Sequence, residues 1–178
     1  MTATVQRTNL RVLPEDFERI FQEHHGLVYR AAYRITGSSE DAEDVLQTLF
    51  LRLLRRESAP DFRSNPKGYL HRAAVNIALD VIKLRKRTVP PDESLQDESL
   101  QIDGRTSEAA EAQQLVLAAL AELSPKLAEI FVLKHVEGYG NREIAKLVGA
   151  SRGAVAVMLF RARARLQKSI RKQIGEKS

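Results

Sequence analysis

Apolar residues recur along this chain at intervals of three and four and seldom of two, which is the pattern of successive helices that each bury one face. Phe17, Ile20, Phe21, His24, Val28, Ala31, Ala32 and Ile35 mark the inner face of a first helix. Pro14 suits its first turn, Glu15 and Asp16 complement its dipole, and Gly37 ends it. Ser38 or Ser39 caps a second helix that turns Ala42, Val45, Leu46, Leu49, Phe50, Leu53 and Leu54 inward. Its acids come first and Arg52, Arg55 and Arg56 last. Asn65 and Pro66 open a third helix, striped by Leu70, Ala74, Ile77, Ala78, Val81 and Ile82. Together these predict one bundle.

The periodicity lapses from residue 88 to about 106, where Pro90, Pro91, Gly104 and many acids give the composition of an extended connector. It resumes near Ser107 with Leu115, Val116, Ala119 and Leu120. Ser124 and Pro125 then start a helix through Leu127, Ile130, Phe131 and Lys134 toward Gly138. Asn141 is expected to cap a short helix to Val148, Gly149 to turn the chain, and Ser151 to cap a last helix along Val155, Leu159, Ala162, Leu166 and Ile170. The expectation is all-α: two small helical domains, an N-terminal three-to-four-helix bundle and a C-terminal four-helix domain with a helix-turn-helix, joined by a flexible acidic linker. The divisions are a tail at 1–14, a first domain at 15–87, a linker at 88–111 and a second domain at 112–178.

Charge sharpens this division. Residues 1–87 hold 15 Lys and Arg against 11 acids, residues 88–111 hold one Arg against seven acids, and residues 112–178 hold 12 basic against five acidic side chains. Two basic lobes on an acidic strap fit two polyanion-binding surfaces, although ordinary solvated helix faces would leave the same balance. No cysteine is present, so disulfides and thiolate chemistry are excluded and a reducing cytoplasm is the expected compartment. His24, His25, His71 and His135 show no metal-ligand spacing with acids, and each is expected at the surface or in helix packing. Neither a nucleophile motif nor a phosphate-cradling glycine loop appears, so no enzyme, cofactor or metal is expected. The start is polar and no stretch is long enough to insert in a membrane.

Ala145, Gly149 and Val155 fit a helix-turn-helix: a small residue where helices approach, a turn residue tolerant of positive φ, and a β-branched anchor. The following run, Arg161, Arg163, Arg165, Lys168, Arg171 and Lys172, favours DNA over a generic helical hairpin. Gly153, Ala156, Val157 and Phe160 lie off the buried seam of the second helix, the side that enters the major groove in this motif. Phe160 beside Arg161 reads as a contact surface, with capping of a neighbouring helix as the other possibility.

Leu120-Ala-Glu-Leu-Ser-Pro, Val132-Leu-Lys-His-Val-Glu-Gly-Tyr, Arg142-Glu-Ile-Ala and Phe160-Arg-Ala-Arg-Ala-Arg-Leu resemble the C-terminal domain of extracytoplasmic-function sigma factors. Asp41-Ala-Glu-Asp-Val-Leu-Gln resembles the polymerase-binding segment of that family, and Pro66-Lys-Gly-Tyr-Leu-His-Arg-Ala-Ala-Val-Asn-Ile-Ala-Leu-Asp its promoter-melting segment. The resemblance implies core RNA polymerase and promoter DNA as partners, single-stranded at the −10 element and duplex at −35, together with an anti-sigma factor. It places Asp41, Asp44, Val45 and Gln47 on polymerase. It places Phe62, Arg63 and Asn65 around an unstacked −10 base, and Tyr69, Arg72, Asn76, Lys83, Arg85, Lys86 and Arg87 along the strand. At −35 it implies Arg142, Ser151, Arg152, Gly153, Ala156, Val157, Phe160, Arg161 and Arg163. The family often has Trp where Tyr69 stands, and Thr, Lys, Ser, Arg or His at the places of Ala154, Ala156, Val157, Met158 and Phe160. Hydrogen-bonding capacity is thereby lost, so −35 recognition is expected to rest on thymine methyls, phosphate anchors and DNA shape. A stand-alone helix-turn-helix regulator is the rival reading, opposed by the melting-segment resemblance.

Overall fold

The computed structural model describes residues 14–55, 64–88 and 107–175, and every element among them is helical. The helices are α1 (Pro14–Thr36), α2 (Ser39–Arg55), α3 (Pro66–Thr88), α4 (Ser107–Glu122), α5 (Pro125–His135), α6 (Asn141–Val148) and α7 (Arg152–Gly175). The first three pack on one another, as do the last four, in two layers that meet along α3. The start of α4 at Ser107 carries helix into the segment expected as linker, whose other residues, 89–106, lie outside the described ones.

Local chemistry sets the boundaries. Gly37 takes φ 69° and donates to the Tyr33 carbonyl at 2.8 Å, closing α1. Of the two candidate caps for α2 it is Ser38 that serves, its Oγ accepting from the Asp41 amide at 3.3 Å. Asn65 caps α3 through a 2.9 Å bond from the Gly68 amide to its Oδ1. The expected cap of α6 is corrected by one residue: Gly140 precedes the helix, and Glu143 reaches back to its amide at 2.7 Å. Asn141 is instead the first helical residue.

In the first bundle Val28, Ala31 and Ala32 of α1, Ala42 and Val45 of α2, and Leu70, Ala74 and Ala78 of α3 are fully buried. The many alanines allow close helix approach. Leu54, expected inward, is 47% exposed, and Leu51 beside it is 49% exposed. The larger departure is α3. Beyond its expected stripe it buries Gly68, His71, Val75 and Leu79. At 100° per residue Gly68, Val75, Leu79 and Lys86 align on the side nearly opposite Leu70, Ile77 and Val81. One line faces α1 and α2, and the other meets α4, α5 and α6.

Candidate nucleic-acid and polymerase interfaces

The helix-turn-helix is formed by α6 and α7. Gly149 ends α6 at φ 66°, ψ 41°, the left-handed region that penalises any side chain with a Cβ, and the Ala150 amide returns to the Ala145 carbonyl at 2.9 Å. Ser151 then caps α7, its Oγ accepting from the Ala154 amide at 3.1 Å. Ala145 and Val155 are buried beneath the turn, as the motif requires. Val155, Leu159, Ala162 and Leu166 form the inner seam of α7. That packing leaves Arg152, Gly153, Ala156, Val157, Phe160 and Arg161 on the solvent face, with Arg142 exposed on α6. Phe160 is 74% exposed, so it does not cap a neighbouring helix. Arg163 differs: its Nη2 donates to His135 Nε2 at 3.3 Å. Burial, then Arg163 and Lys134, hold the His135 imidazole below its usual pKa, which keeps that nitrogen an acceptor. The Ser151 hydroxyl is likewise spent on its cap.

On α2, Glu40, Asp44, Gln47, Leu51 and Leu54 share one exposed face. Val45 requires correction, because its side chain has 0% exposure inside the bundle and offers no surface to another protein. Asp41 is turned sideways into an ion pair with Arg85 at the end of α3. Burial raises its carboxyl above the ordinary value, and Arg85 offsets only part of that rise. Leu54 was not foreseen on this face, since an apolar residue beside a seam reads as core from spacing alone, and Leu51 was assigned to neither face.

On α3, Tyr69 is partly buried against the core, Lys83 is half-buried, and Arg85, Lys86 and Arg87 are exposed. Arg72 and Asn76 are engaged by the second layer. Arg72 Nε and Asn76 Nδ2 both donate to Glu129 of α5, the latter at 3.1 Å, and Arg72 Nη1 donates to the Leu147 carbonyl at 3.0 Å. Lys86 Nζ donates to Glu122 at 2.6 Å and to the Ala118 carbonyl at 3.2 Å. Phe62 and Arg63 lie outside the described residues.

A polar cluster missed in the sequence sits beside this contact. Glu137, after α5, receives both Arg34 nitrogens at 2.9 and 3.1 Å and the Nε2 of His71. The Tyr139 hydroxyl lies 2.5 Å from His71 Nδ1. A carboxylate at Nε2 requires the proton there, so in the neutral ring Nδ1 accepts from Tyr139. His71 is therefore buried by pairing rather than by packing. Among the described residues no cluster of His, Cys, Asp and Glu is arranged to hold a metal, and no helix is long and apolar enough to cross a membrane.

A chain in which one bundle carries a cationic helix and the other a helix-turn-helix has the layout of a sigma-70 protein. Residues 20–88 match Sigma-70 region 2 and residues 113–166 match Sigma-70, region 4. The relatives narrow the class. The ECF RNA polymerase sigma factor SigE of Mycolicibacterium smegmatis is 30% identical, over 98% of this chain and 69% of its own length. The RNA polymerase sigma-E factor of Streptomyces avermitilis is 31% identical, over 87% of this chain and 85% of its own. The chain belongs to the extracytoplasmic-function group of the sigma-70 family. Two solved structures share the fold. They are the Bartonella quintana sigma factor RpoE in complex with the anti-sigma factor NepR, at TM-score 0.50, 20% identity and coverage of 88% of this chain and 98% of that one, and CnrH in complex with the cytosolic domain of CnrY, at TM-score 0.50, 23% identity and 86% of each.

Proposed function

We propose that this sigma factor docks the exposed α2 face on core RNA polymerase, lays α3 along the non-template strand of an opened −10 element, and seats α7 in the major groove of a −35 element. The assignment takes residues 15–87 as the polymerase- and strand-binding domain and 112–178 as the duplex-binding domain, with the acidic segment between them as tether. The solvent face of α7 carries the reading most directly: Val157 and Phe160 are exposed next to Arg152 and Arg161 on the second helix of a helix-turn-helix. Apolar groups there suit thymine methyls, and the flanking guanidiniums suit phosphates. No bond chemistry is involved. Opening would draw on base capture and on contacts to single-stranded phosphates, which offset a cost of about a few kcal/mol for unstacking.

The site of action is the bacterial cytoplasm, where polymerase works, and an anti-sigma factor is the expected regulator, as for the Bartonella relative named above. Run-off transcription with bacterial core polymerase on a promoter library tests the whole assignment. Specific initiation that depends on this chain, with one −10 and one −35 motif among the active templates, is the expected result. Duplex binding without any initiation would overturn it.

A further inference from the structure

The outward face of α7 is chemically one-sided. Measured from the seam through Val155, Leu159, Ala162 and Leu166, the positions nearly opposite are Gly153, Val157, Phe160 and Ala164, all exposed. From Arg152 to Leu166 the sequence holds no acid, amide, hydroxyl or imidazole, and the Ser151 hydroxyl just before it is taken by its cap. The polar side chains of this stretch are four arginines, of which Arg163 is turned to His135. Arg152 and Arg161 stand to either side of the apolar line. Residues 141–172 carry nine basic side chains against one acid, Glu143, whose carboxylate is engaged at Gly140. That charge commits the face to a polyanion. An added Cβ at Gly153 meets nothing within 4 Å, so packing inside the chain does not ask for glycine there, and the clearance serves the close approach of a ligand.

In the major groove thymine shows a C5-methyl group beside its O4 acceptor, whereas cytosine shows an N4 donor and no methyl. Telling thymine from 5-methylcytosine takes an acceptor for N4 or a donor for O4, and the line opposite the seam has neither. A face that touches only the methyl takes both bases alike. We propose that α7 reads the C5-methyl group itself through Val157 and Phe160, in 5-methylcytosine as in thymine, so that cytosine methylation inside a −35 element strengthens binding. The inference rests on α7 being the helix in the groove. A promoter carrying cytosine where the motif has thymine is weak until a DNA cytosine-C5 methyltransferase, the class of enzyme that adds this group, restores the contact.

The test uses holoenzyme formed from the full chain and bacterial core polymerase, on a promoter recovered by the run-off selection. Each thymine of its −35 motif, on either strand, is replaced in turn by uracil, which lacks only the methyl, by cytosine and by 5-methylcytosine, with guanine opposite the last two. Affinity is read by competition at one fixed salt concentration. At one or more positions uracil is expected to weaken binding about fourfold, the factor for one buried carbon, and 5-methylcytosine to bind about fourfold tighter than cytosine. Both ratios should fall to about one in V157A/F160A, whose altered positions are exposed and leave the buried seam untouched. Equal binding of thymine and uracil at every position overturns the proposal, as does 5-methylcytosine that binds no better than cytosine, or ratios that survive in the variant. A recovered −35 motif without thymine on either strand overturns it too. Binding indifferent to the whole −35 sequence overturns instead the placement of α7 beneath it.

Discussion

Phe160 keeps an aromatic ring in water on a helix that has ample apolar positions to bury, and an exposed ring of this size is expected to gain its stabilisation in a complex. Phe160→Ser is expected to weaken binding to the −35 duplex by about tenfold, which is about 1.4 kcal/mol, with an unchanged thermal midpoint. Arg161→Ala should instead lower the slope of log affinity against log salt by about 1, which fluorescence anisotropy over a salt series resolves. Gly149→Ala acts on the fold alone. Nothing lies within 4 Å of the added Cβ, so the loss is conformational, about 1–2 kcal/mol in urea unfolding. Phe160 was legible because its distance from the seam residues Val155, Leu159 and Ala162 can be counted along the helix. Val45 reads both as a seam position and as a polymerase contact, because the motif that resembles a polymerase contact also contains a position of the seam; its burial bears out the first and leaves no surface for the second.

At the scale of the element, α3 serves two cores at once. Leu70→Ala, on the side facing α1 and α2, should cost about 2–5 kcal/mol of unfolding free energy, since Leu70 is fully buried. Gly68→Ala is different in kind. Its Cβ would lie 2.4 Å from Asn65 Nδ2 as well as 2.7 Å from Leu147 Cδ2, so it should both disturb the α3 cap and wedge the bundles apart, seen as a lower thermal midpoint and a larger radius of gyration in small-angle scattering. Helix existence and order were readable throughout, because cap residues open most of the periodic runs and Gly37, Gly138 and Gly149 follow three of them. The second line of α3 was not: Val75 and Leu79 fill the gaps of the first stripe, and a helix apolar on both sides has no single face to extract.

Over the whole molecule, the contact between the bundles is the part the sequence concealed. Glu129 and Glu137 look like solvated acids in a basic domain, and the partners they meet in the first bundle stand 53 to 103 positions away in the chain. Their burial carries a signed dependence on pH. Burial tends to raise the Glu137 carboxyl, but hydrogen bonds from His71 and Arg34 outweigh it and hold the group below the ordinary value of 4.5. Its contribution to the contact between the bundles is therefore complete above that value and disappears as pH falls through the lowered one. Domain separation measured across an acid titration should rise on that side, and Glu137→Gln should flatten the Glu137-dependent part of the curve.

The final helix is a rod about 36 Å long by its residue count. Its first turns carry the face offered to duplex DNA, while near the far end Ser169 Oγ donates to Glu122 at 2.5 Å, and Glu122 is the carboxylate that holds Lys86 of the other bundle. One rod thus ties the face turned toward solvent at its start to the carboxylate that holds Lys86 near its end.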